Sequence, residues 1–369
     1  MGNAEVQCVG GKGEILVPQS NSSARSLAER GELIGSVIAG RWASDVDGEG
    51  RFPREAVDGL CHQGVLGSAV PVHLGGGGAS MSEICELVRI LGRHCASTAM
   101  VLAIHQAMVF AISRHGSGGR FDRVLCEIAD DQLLVTGCFR QPARLGEGSS
   151  STTAGATVLF GEEADVVLTR VGVADGAGGG HEDGLALVRT DEIALRQESY
   201  GDGLGLRGLG WNTYSLEVPD HAGDRFCDRF GRVAAMTLEP ALRLLSGAAG
   251  VGIADTALDT AGRFVVDHGS LGFVDDWSEH ALELAQSEGA RDAAWDCILG
   301  HARNFGDCAV AGIDSGSTVA SAMGICGPAG YRETGEFGLG RQLRDSLGIR
   351  EMVVAAIGIE RGGRISDRF

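Results

Sequence analysis

From about Ala24 to His115 the apolar positions recur at three- and four-residue intervals. Met81, Ile84, Cys85, Val88 and Leu91 share one face of a helix, and Met100, Ile104, Met108 and Ala111 share another. That spacing predicts a helical first part. Between about Asp131 and Val218 the pattern changes to short runs at Leu133 to Thr136, Thr157 to Phe160, Val166 to Val171, Leu185 to Val188 and Tyr214 to Val218, divided by glycine-rich turns. These predict the strands of a small β-domain. Beyond Val233 helical spacing returns, with one long stripe through Leu238, Leu242, Leu245, Ala249, Ile253, Ala257, Ala261 and Val265, and with further helices around Ala281 to Ala302, Ser317 to Met323 and Gln342 to Ile359. Helices, strands and helices in that order predict an α+β fold. The expected parts are a flexible leader (1–23), an N-terminal helical domain (24–130), a middle β-domain (131–225) and a C-terminal helical bundle (226–369).

Composition narrows the partners. The chain has 369 residues, 44% hydrophobic and 22% charged, enough for a large core, and no apolar run approaches the roughly 18 residues of a membrane helix. A net charge of −18 repels phosphate backbones and anionic membranes, so neither nucleic acid nor a membrane is expected as a partner. The ten cysteines form no close CxxC pair, which excludes a zinc site and points to reduced, mostly buried thiols in a cytoplasmic protein. The N-terminus carries no basic segment followed by an apolar stretch, which argues against secretion. The glycine-rich stretch Ala174 to Gly180 precedes no helix, so it reads as a surface loop instead of a phosphate cradle.

Four segments resemble the acyl-CoA dehydrogenase family. Arg51-Phe52-Pro53 leads through Gly64-Val65-Leu66-Gly67 and Val70-Pro71 to Leu74-Gly75-Gly76-Gly77-Gly78, a tight turn in which glycine serves the backbone angles. Gly205-Leu206-Arg207-Gly208 is followed by Leu216-Glu217-Val218-Pro219. Arg243 opens a run of small residues through Gly252 to Ala257-Leu258-Asp259, where helices can approach closely. Gly324-Ile325-Cys326-Gly327-Pro328-Ala329-Gly330-Tyr331 precedes Arg344-Asp345. They span nearly the whole chain in the family's order.

The resemblance implies an acyl thioester substrate, carried on CoA or an acyl carrier protein, and FAD-dependent α,β-desaturation by an assembly of two or four identical chains. In that chemistry a glutamate removes the α-proton while the β-hydrogen leaves as hydride to the flavin. Val353 stands where the family usually has this glutamate, and Leu242 stands at its second location. Glu239 and Glu351 are therefore the candidate bases, with Arg243 beside the thioester. The cofactor residues implied are Gly148, Ser149, Thr153 and Ala154 in the flavin loop, Phe160 as aromatic wall, and His268 and Gly327 toward the dinucleotide. His268, Leu271 and Glu279 replace the family's Arg, Phe and Gln, and Gly155 to Glu163 leaves no room for the family's hairpin before Ala164-Asp165. The departures also admit a flavin-free enzyme doing cyclisation, elimination or isomerisation in specialised metabolism, a flavin monooxygenase, or a non-catalytic partner subunit.

Overall fold

Ser26 opens the first helix. Its Oγ accepts the Glu29 N–H at 3.2 Å, and the Glu29 carboxylate accepts the Ser26 N–H at 2.7 Å, so two otherwise unpaired donors are satisfied reciprocally. The computed structural model describes residues 25–116, 119–140, 150–174, 181–219, 222–269, 277–305 and 315–357. The leader and the loop at 175–180 lie outside them.

Helices α1 (Leu27–Ile34) and α2 (Gly40–Glu49) run on through a π-turn at Gly35–Ala39, and α3 (Arg54–His62) follows. The glycine run after Leu74 turns the chain back, with Gly75 and Gly78 at φ 87° and 60°, into α4 (Met81–His94), α5 (Ala96–His115) and α6 (Asp122–Asp130). Buried residues occupy every face of α5. Against the sequence expectation, two helical stretches, Ala96–His115 and Phe230–His268, are long and apolar enough to cross a bilayer, but 89% of each apolar window is buried inside this structure. They form the centre of the core.

The β-domain has two sheets. One orders β1 (Val135–Cys138), β3 (Val166–Ala174), β4 (His181–Arg189) and β7 (Asp224–Arg225), with β1 parallel to β3. The other orders β2 (Ser150–Thr157), β6 (Thr213–Pro219) and β5 (Ala194–Ser199), all antiparallel. The expected strand at Thr157 to Phe160 is instead the turn that ends β2, because Phe160 takes a left-handed φ of 43° and gives its N–H to Leu209 O at 2.8 Å. β2 itself is a polar Ser/Thr strand, so an apolar-run search passes over it. From Thr157 the chain reaches β3 with no intervening hairpin.

The second helical part begins with α7 (Phe230–Val233), a π-turn at Ala234–Leu238 and α8 (Glu239–Gly269), which continue one another. Around α8 pack α4, α5, α9 (Trp277–Arg303), α10 (Gly316–Cys326) and α11 (Gly340–Ile357).

Candidate functional site

Glu239 is the first residue of α8, directly after the π-turn, and Arg243 lies one turn on. Arg243 donates from Nε at 3.0 Å and from Nη2 at 2.6 Å, and both bonds end on Glu239 Oε1. The side chains are 27% and 36% exposed, so the pair opens to solvent at one side. Glu239 Oε2 accepts no hydrogen bond among the described residues. The fold therefore brings together one candidate base and the arginine. Glu351 stands on the exposed side of α11, next to the fully buried Met352.

The loop Gly205 to Gly208 is braced by the Arg344-Asp345 pair at the start of α11. Arg344 donates to both oxygens of Asp47 at 3.0 and 2.7 Å, to Glu333 at 2.8 Å and to Leu204 O at 3.1 Å, and its guanidinium is held more firmly protonated, first by Asp47 and then by Glu333. Asp345 accepts the N–H of Leu206, whose φ is 52°, at 2.7 Å. Burial pushes the Asp345 carboxyl up to about 6. Gly205 lies against the backbone of Arg344, where an added Cβ would sit 2.0 Å from Arg344 O. Arg207 is 33% exposed, with Asp202 at 4.0 Å.

The cofactor residues expected from the family are scattered. Gly148 and Ser149 lie outside the described residues. Thr153 is buried on β2 and Ala154 exposed beside a bulge. At that bulge Gly155 gives its N–H to Glu198 at 2.9 Å and its carbonyl accepts from Arg140 at 2.5 Å. Phe160 is no open wall: it is 4% exposed, in the main core, with its ring centroid 6.2 Å from that of Phe52. His268 donates from Nδ1 to Phe264 O at 3.0 Å and stacks on the Phe264 ring with centroids 4.2 Å apart, which turns an expected phosphate contact into an aromatic cluster with Phe337. Glu279 is exposed on α9. Gly327 caps α10 at φ 56°.

Two histidines gain partners that no spacing in the sequence could signal. His105 accepts the Val135 N–H at Nδ1 and donates from Nε2 to Leu66 O, and full burial lowers it to about 4, so it is a neutral tie between α5 and β1. His115 bonds Asp228 at 2.7 Å through Nδ1 and Thr237 at 2.8 Å through Nε2, tying the end of α5 to the π-turn before Glu239. His73 is exposed.

Comparison with known proteins fits this arrangement of helices and β-domain. The family profile described as acyl-CoA dehydrogenase, N-terminal domain, matches residues 36–132. A probable acyl-CoA dehydrogenase of Mycobacterium tuberculosis is 24% identical over 269 residues, 69% of this chain and 67% of that protein. The butyryl-CoA dehydrogenase of Megasphaera elsdenii superposes with a TM-score of 0.71 at 17% identity, covering 92% of this chain and 97% of its own. The dibenzothiophene monooxygenase TdsC of Paenibacillus sp. A11-2, solved with FMN, superposes with a TM-score of 0.66 at 16% identity, covering 90% and 96%. Residues 36–132 carry the acyl-CoA dehydrogenase N-terminal domain pattern, and the chain as a whole has the acyl-CoA dehydrogenase fold. Its fold neighbours include both dehydrogenases and a flavin-dependent monooxygenase.

Proposed function

We propose that this protein acts on an acyl thioester by removing its α-proton, with Glu239 as the base. The observation that carries the reading is the asymmetry of the Glu239 carboxylate: Arg243 holds Oε1 and orients the group, while Oε2 accepts no hydrogen bond among the described residues and the side chain is 27% exposed. A base held in one orientation raises the rate of proton transfer by roughly 10²–10⁴-fold. The guanidinium also sits where it can stabilise negative charge as it develops on a thioester oxygen.

The family relation favours coupling this proton removal to flavin-dependent α,β-desaturation, in which the flavin accepts the hydride. A flavin-free reading, in which the deprotonated thioester is reprotonated or expels a β-substituent, is favoured by the burial of Phe160 and the engagement of His268. The base is tested without assuming either: α-proton exchange of acyl-CoA thioesters in deuterated water, followed by NMR, should be lost almost entirely in Glu239→Gln and kept in Glu351→Gln. Equal exchange in wild type and Glu239→Gln sinks the assignment. An absorbance spectrum from 300 to 550 nm, before and after incubation with FAD or FMN, separates the two couplings. A retained flavin band supports desaturation, and a colourless protein that cannot be reconstituted supports the flavin-free chemistry.

A further inference from the structure

A cleft of about 920 Å³ opens on the far side of the Arg344-Asp345 brace, between the end of α2, the 202–207 loop, α8, the 333–338 turn and the first turn of α11. Four arginines and four carboxylates line it, but they are not matched one to one. Arg344 takes both Asp47 and Glu333. Arg207 has only a loose contact with Asp202, which is 95% exposed at the rim. Arg263 and Arg341 meet no carboxylate within 4 Å among the described residues. Each is oriented by a neutral hydroxyl instead, Arg263 by Thr260 at 3.3 Å and Arg341 by Ser44 at 3.5 Å.

In a chain with 49 acidic and 31 basic residues, an arginine near the surface ordinarily finds an acid. Two that face one cleft and rest on hydroxyls keep most of their N–H donors available, and a guanidinium fork matches the oxygens of a phosphoryl group. The volume exceeds what one phosphate fills, so the ligand has an organic part. We propose that this cleft binds a small phosphate monoester or diphosphate through Arg263 and Arg341. The site is separate from the α-proton chemistry: Arg263 lies twenty residues beyond Arg243 on the same helix, about 30 Å at the rise of an α-helix.

The test is calorimetric titration of the full chain, at fixed ionic strength, with inorganic phosphate, inorganic pyrophosphate and ADP. Saturable binding of at least one is expected, weakened about tenfold by Arg263→Gln and again by Arg341→Gln, the size of one lost charge-assisted contact. Arg263→Lys should lose less than Arg263→Gln, and Arg123→Gln on α6, 90% exposed and away from the cleft, should change nothing. Tighter binding of ADP than of pyrophosphate supports a ligand with an organic part; equal binding overturns that part of the proposal. Circular dichroism checks that each variant is folded. No saturable binding of any probe, or binding that survives Arg263→Gln and Arg341→Gln together, overturns the proposal.

Discussion

Asp345 is 6% exposed, accepts one backbone N–H, and has a carboxyl raised from an ordinary 3.8 to about 6. Between those values the folded protein binds the Asp345 proton more tightly than the unfolded chain does, so this group's contribution to stability falls as pH rises from about 4 to about 6, by up to about 3 kcal/mol. Urea unfolding across that range should show the slope, and Asp345→Asn should flatten it while keeping an acceptor for Leu206 N–H. At this scale the sequence was uneven. Glu239 and Arg243 could be paired on paper because four residues make one helical turn. Phe160 was expected as an aromatic wall, and its place in the core goes with a left-handed backbone angle that no sequence signal announces.

The crossing of α4 and α8 turns on two glycines. A Cβ added at Gly252 would lie 2.2 Å from Arg89 O, and one added at Gly92 would lie 2.7 Å from Ala249 O. The small residues after Arg243 read as a close helix approach from the sequence, and the partner helix is α4. Gly252→Ala must push these backbones apart; a loss of about 1–3 kcal/mol is expected, read as a lower melting temperature. An unchanged melting temperature would mean that the crossing relaxes without cost. Elements were legible where their apolar period was strong, as in α4, α8, β3 and β6. They were missed where the element is polar, as in β2, or only half-buried, as in β5.

Asp255 holds three helices together. Its carboxylate accepts from Arg89 of α4 at 2.8 and 3.2 Å and from Arg291 of α9 at 2.8 Å, and the Arg89 guanidinium lies 4.5 Å over the Trp295 ring. Asp255→Ala leaves the Arg89 guanidinium without its carboxylate and Arg291 with only the exposed Asp292, at a cost of up to about 3–5 kcal/mol, which chemical denaturation would read directly. Double substitution of Asp255 and Arg291 to Ala and Leu should recover part of that loss. The sequence by itself determined the order of helical and β parts and the family resemblance, because hydrophobic period and short turn motifs are local properties of the chain. Only the tertiary structure decided what depends on contacts between distant segments: the bonds from His115 to Asp228 and Thr237, the brace of Arg344 on Asp47, the Arg89–Asp255 bond, and the arginines with no carboxylate within 4 Å at the cleft. Burial and pairing, which set what each charge can do, arise only when distant segments pack.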